Sequence, residues 1–98
     1  MELVFDWDEK KARRNRNLHK VSFDEAKTAF NDPFLISFPD EYHSDSEERL
    51  ISIGTSSKNR IILVVHTENE ESGAIVIRLI SARKATASER EIYEKKKD

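Results

Sequence analysis

The sequence predicts an α+β fold, an antiparallel sheet with two N-terminal helices and one C-terminal helix packed on it. Three observations carry that expectation. Two capping boxes, Ser22-x-x-Glu25 and Thr86-x-x-Glu89, each open a stretch of helix formers. Residues 61–65 are apolar at every position, as in a central strand covered on both faces. Turn-forming residues at 56–59 and 70–73 separate strand-like runs at hairpin spacing, so these runs are expected to pair antiparallel. Helices segregated from a meander of strands define the class.

The elements follow in order. Leu3, Val4 and Phe5 read as a short strand. Asp8 stands where a helix N-cap belongs, and Glu9 suits the positive end of that helix. Residues 9–19 lack Gly and Pro and are rich in Lys, Arg and Ala, which favour helix. The second helix starts at Ser22 and puts Phe23, Ala26 and Phe30 on one face. It ends at Asn31-Asp32-Pro33, because Pro disfavours helix in the residue before it. Strands are expected at 34–38, 49–55, 61–65 and 74–82, and a last helix from Thr86 through Tyr93.

With 98 residues the chain is expected to form one domain over 1–98, long enough for one core and not two. The absence of Cys excludes disulfides, thiol catalysis and thiolate metal sites, and fits a reducing, cytoplasmic setting. No apolar stretch approaches the roughly 20 residues that a membrane span needs. The start, MELVFDWDEKK, has no apolar core after a basic region, which argues against secretion by a signal peptide. Two Gly are too few for a glycine-rich phosphate loop.

The formal net charge of −2 hides a segregation. Lys10, Lys11, Arg13, Arg14, Arg16, His19 and Lys20 crowd residues 10–20 with no acid among them. Asp40, Glu41, Asp45, Glu47 and Glu48 crowd residues 40–48 with no Lys or Arg. One end of the molecule is therefore expected to be a basic surface fit for an acidic partner or a nucleic-acid backbone.

Several side chains invite a functional reading beside a structural one. Lys11, Asn15 and His19 lie at i, i+4 and i+8, one stripe of a helix on which a cation, an amide and an imidazole are suited to grip a phosphate and move a proton. The same stripe also fits an ordinary solvated face. Arg78 interrupts the apolar row of Val76 and Ile80, so it must meet an acid, a phosphate or water. Arg83 has the opposite parity and points away from Arg78 unless a bulge intervenes. Arg83 and Lys84 stand where strand gives way to helix, a place suited to phosphates or to solvent. Glu47, Glu48 and Arg49 form a surface cluster in which a carboxylate has the chemistry of a base. Tyr93 offers either a packed ring or a proton donor. His19, His43 and His66 are scattered and lack metal-ligand spacing, so no metal and no cofactor are expected. Trp7, just before the cap, reads as a core anchor.

The ordered set Phe5-x-Trp7-Asp8-x-x-Lys11-x-x-x-Asn15, His19-x-Val21-Ser22-Phe23-x-Glu25-Ala26, Asp32-Pro33, Glu48-Arg49, Ile53-Gly54, Arg78-x-Ile80-Ser81-Ala82-Arg83-x-Ala85 and Glu89-Arg90-x-x-Tyr93 resembles the BrnT toxin family, and covers almost the whole chain. The resemblance implies a fold like that of the RelE-type ribonuclease toxins. It also implies an RNA substrate and inhibition by a DNA-binding antitoxin encoded alongside, with DNA met only through that antitoxin. RNA carries its own nucleophile, the 2′-OH, so a metal is not required. The protein must align that attack, offset phosphoryl charge and manage two protons. On this reading Lys11, Arg78 and Arg83 stabilise charge, His19 carries protons, and Glu48 and Tyr93 are further candidates for acid–base work. Arg13, Arg14, Arg16, Asn15 and Lys84 are the expected RNA contacts. The alternative is a non-catalytic partner-binding module, for which the charge segregation is sufficient.

Overall fold

The computed structural model describes residues 2–42 and 48–97. Its elements are β1 (Glu2–Asp6), α1 (Glu9–His19), α2 (Phe23–Thr28) with a 3-10 turn at Ala29–Asn31, β2 (Ile36–Pro39), β3 (Leu50–Thr55), β4 (Ile61–Glu71), β5 (Ala74–Lys84) and α3 (Ala87–Lys97). They form an α+β fold built on one five-stranded sheet in the order β1-β5-β4-β3-β2.

Local chemistry sets the helix ends. The Asp8 carboxylate accepts from the main-chain N–H of Lys10 at 2.8 Å and of Lys11 at 3.2 Å, which starts α1. The helix stops at Lys20, whose φ of 61° is left-handed, with its N–H returned to the Arg16 carbonyl. Thr86 and Glu89 form the complete reciprocal box. The box at Ser22 forms only by half. Ser22 Oγ accepts from Glu25 N–H at 3.0 Å, but the Glu25 carboxylate turns away to Ser56 and Arg60. Those partners are stronger than a single main-chain N–H, since a buried carboxylate is best served by a charged fork.

The meander β2–β3–β4–β5 is antiparallel throughout. The outer pair departs from the expected all-antiparallel sheet, because β1 runs parallel to β5, from Glu2 opposite Ala74 to Asp6 opposite Arg78. No tight turn joins these two strands, so nothing local dictates their relative direction. The hairpin between β4 and β5 turns through Ser72 and Gly73, both at positive φ, as a two-residue loop requires. Both strands therefore run longer than the apolar pattern predicts, and the polar stretch from Glu68 to Glu71 is paired strand.

β4 is central, as expected, and its two faces enter two cores. Ile62 and Val64 join Val21, Phe23, Ala26, Ala29, Ile77, Leu79 and Ala82 beneath α1 and α2. Leu63 joins Ile53 and Tyr93 beneath α3. At about 25 cal/mol per Å² of apolar surface, each large core side chain contributes roughly 2 kcal/mol. Gly54 is fixed by packing: a Cβ there would lie 2.7 Å from Leu35 Cδ1 and 3.2 Å from the Ala29 carbonyl. Trp7 is half-buried and meets Phe23 edge-on at 5.9 Å, which fits its reading as an anchor.

One buried group makes the fold sensitive to acid. His66 is fully buried, with Nε2 2.6 Å from Ser52 Oγ and Nδ1 without a hydrogen-bond partner. Burial pushes its pKa down to about 4 from 6.5. The unfolded chain therefore takes up a proton that the folded chain refuses. Stability is full above pH 6.5 and falls as pH drops from there to about 4, by roughly 3 kcal/mol. The Glu89 carboxyl, held at about 2 by the Arg83 fork, adds its own loss only below its ordinary 4.5. Denaturant melts at pH 7.5 and 5 test this: His66→Asn is expected to flatten the difference between the two.

Candidate active site

β1 stops at Asp6, opposite Arg78, while β5 continues to Lys84. The edge of β5 beyond Arg78 is therefore open to another partner, and α1 supplies it. The buried Asn15 amide donates to the Ala82 carbonyl at 2.8 Å and accepts from the Ala82 N–H at 3.0 Å. It pairs with the strand edge as a neighbouring peptide group would. Its second N–H goes to the Val21 carbonyl at 3.0 Å. This amide fixes α1 along β5, a structural task that the stripe of Lys11, Asn15 and His19 did not reveal.

The side chains flanking Asn15 are thereby gathered over the strand edge. A groove of about 220 Å³ is lined by Lys11, Arg14, Leu18, His19, Ile80 and Ser81 along with Asn15 itself. Arg13 and Arg16 project to the other flank of α1, where they border a cleft of about 90 Å³ beside Trp7. The basic residues of the helix thus divide between two sides.

Arg78 is not desolvated within an apolar row. Its side chain is 46% exposed and pairs with Asp6 across the β1–β5 register at 2.5 Å. It also lies close to the first turn of α1. The Asp8 carboxyl is held below the usual range first by the main-chain N–H groups of Lys11 and Lys10, and further by the charges of Lys11 and Arg78. Lys11 and Arg78 therefore share one electrostatic neighbourhood at the Asp8 end of the groove.

The expected opposition of Arg78 and Arg83 is overturned. Val65 pairs with Ser81 but His66 pairs with Leu79, so Ile80 is an extra residue in β5. This bulge reverses the alternation, and Arg78, Ser81 and Arg83 stand on one face, opposite Thr67, Val65 and Leu63. Arg83 is nevertheless engaged: its guanidinium donates to both Glu89 oxygens at 2.8 and 2.9 Å.

The remaining candidates lie elsewhere. Tyr93, 1% exposed, packs on Ile53 and Leu63, and its hydroxyl donates to Asp32 and meets Thr55 Oγ1 at 3.0 Å. Burial first, then the Asp32 contact, pushes its pKa up, away from proton transfer at neutral pH. Glu48 is exposed before β3, which β4 separates from β5, a lateral distance of about 10 Å at two strand spacings. Lys84 lines a separate cleft with Arg60 and Arg90. His43 and Glu47 lie outside the described residues. Among the described residues no group of three or more His, Asp or Glu is placed to hold a metal ion, and no helix is long and apolar enough to cross a membrane.

Leu18 follows from helical periodicity, at i+7 from Lys11, whereas Ile80 and Ser81 are groove residues that periodicity does not single out. The signal for the last two is the bulge, which depends on cross-strand pairing.

The fold defines a class that the comparisons bear out. The model of the ribonuclease toxin BrnT of type II toxin–antitoxin systems matches residues 7–89, and the chain belongs to that family. Among solved structures it is similar to the ribonuclease toxin BrnT of Brucella abortus, with 25% identity and a TM-score of 0.60 over 88% of this chain and 99% of that one. No curated protein matches. Membership of a type II toxin–antitoxin family implies a cognate antitoxin as partner.

Proposed function

We propose that the chain acts in the cytoplasm as a toxin that cleaves RNA without a metal, in the groove between α1 and the free edge of β5, until its antitoxin covers that surface. The observation that carries this reading is the gathering of Lys11, Arg14 and His19 over one strand edge, with Arg78 at the same end as Lys11.

The chemistry follows from the substrate. The 2′-OH attacks the neighbouring phosphorus as the 5′-oxygen departs, leaving a 2′,3′-cyclic phosphate. Lys11 and Arg78 offset the charge on the phosphoryl oxygens. His19, exposed on the last turn of α1, takes or returns a proton. Arg13, Arg14 and Arg16 hold the polyanion and also favour encounter with acidic groups of the antitoxin. Arg83 and Tyr93 are held by Glu89 and Asp32 away from the groove and take no direct part, and Glu48 is left as a peripheral carboxylate. DNA, lacking the 2′-OH, is no substrate by this route.

Controlled expression in a bacterial host tests the reading. Growth arrest with loss of RNA, reversed by co-expression of the neighbouring antitoxin gene, is expected. Tight antitoxin binding with intact RNA and normal growth would instead make this a partner-binding module without catalysis.

A further inference from the structure

We infer that Arg60, Lys84 and Arg90, with Asn59, form a second phosphate site that takes the RNA backbone beyond the reacting phosphate. The inference rests on the groove acting on RNA. The site is a cleft of about 300 Å³ lined by Asn59, Arg60, Ile61, Lys84, Ala85 and Arg90. Among the described residues, every charged one that lines it is a cation.

Two features make it more than a scatter of surface charge. Arg60 is fixed in place. Its Nε donates to Glu25 Oε2 at 2.9 Å, and Nη2 donates both to Glu25 Oε1 and to the Lys20 carbonyl, the latter at 3.0 Å. Glu25 is buried and is itself met by the Ser56 hydroxyl at 2.6 Å, so the guanidinium is held at the mouth of the cleft. Two acids near this end are also already committed. Glu25 balances Arg60, and Glu89 is taken by the Arg83 fork and by the Thr86 N–H. Among the described residues no ion pair engages Lys84 or Arg90, which leaves two uncompensated cations beside a preoriented guanidinium.

The placement identifies the ligand. Arg60 bonds the carbonyl of Lys20, the residue after His19. Lys84 lies three residues along β5 from Ser81, roughly 10 Å at the strand rise. The cleft therefore continues the groove around the C-terminal end of α1. A polymer with regularly spaced phosphates bridges the two, whereas a lone anion uses only one. Phosphodiester recognition by cations of this kind positions the strand without reading its bases.

The test uses the purified full-length chain and its Lys84→Ala/Arg90→Ala variant, with matched melting temperatures as the check on folding. The expected result is that the kcat/KM ratio for a dodecamer over a dinucleotide falls about tenfold in the variant. Binding of a 2′-deoxy dodecamer, which is not cleaved, is expected to lose about 1.4 from its log–log salt slope, the share of two phosphate contacts on a single strand. An unchanged ratio together with an unchanged slope overturns the inference. So does a variant that loses only antitoxin affinity, since the cleft would then serve an acidic protein segment. If the parent chain cleaves neither RNA, the nuclease reading fails, while the salt slope still decides whether the cleft holds a nucleic-acid backbone.

Discussion

Replacing Arg78 with Ala is expected to cut RNA cleavage by about a hundredfold or more, the scale of removing one charge stabiliser from a phosphoryl or acyl transition state. The structure makes this substitution clean. The Arg78–Asp6 pair is on the surface, and the Asp6 side chain left behind is 55% exposed, so no buried charge is stranded. The stability loss should stay below about 1 kcal/mol. Asp6 then has a second consequence. It pairs with the guanidinium, and on the proposed reading phosphate competes with it, so Asp6→Asn should tighten RNA binding modestly. Arg78→Lys keeps the charge but loses the planar fork, and is expected to recover only part of the rate. A pH–rate profile separates the roles: loss of a proton carrier by His19→Ala should change its shape, whereas Arg78→Ala should lower it without changing its shape. Parent-like cleavage by folded Arg78→Ala would move the charge-stabilising role to Lys11 and Arg14.

The second large effect is structural. Asn15→Ala removes three hydrogen bonds and leaves the Ala82 N–H, the Ala82 carbonyl and the Val21 carbonyl without their partner. At about 1–3 kcal/mol for each buried group left unpaired, the expected loss is on the order of 4 kcal/mol, a large share of a small domain's stability. Asn15→Asp should fare little better. Its carboxylate still accepts from Ala82 N–H but faces two carbonyl oxygens where the amide had donated. Chemical denaturation measures both variants. A loss under 1 kcal/mol for Asn15→Ala would mean that α1 holds to β5 through packing alone. Activity should fall with stability here, because the same amide sets the distance between α1 and the groove floor at Ile80 and Ser81.

What the sequence made legible was local. The N-cap at Asp8, the reciprocal box at Thr86 and Glu89, the helical face of Phe23 and Ala26, and the doubly covered strand at 61–65 depend on residues a few positions apart, and the structure has them, with Phe30 packing on the same core from the 3-10 turn that follows α2. What it hid depends on partners far along the chain. Glu25 leaves its box for Arg60, thirty-five residues on. Asn15 reads as a surface amide until Ala82, sixty-seven residues away, presents an open strand edge. The bulge at Ile80 turns Arg83 to the side of Arg78, and only the cross-strand register shows it. The site followed the same rule. Lys11, Arg14 and His19 share a groove because they share a helix flank. Arg83 and Tyr93 were drawn away by Glu89 and Asp32. The buried row expected around Arg78 failed because β1 covers only the first half of β5 and ends in an acid beside it.

If this groove cleaves RNA through the substrate's own 2′-OH, cleavage depends on that hydroxyl at the scissile position. The most direct test is to incubate the purified chain, in excess chelator, with an RNA oligonucleotide and with the same oligonucleotide carrying 2′-deoxyribose at the mapped cleavage position, and to read the product ends by mass spectrometry. A 2′,3′-cyclic phosphate is expected from the first and no cut at that position in the second. Cleavage of the deoxy-substituted strand at the same bond, or a product bearing a 5′-phosphate, would contradict it.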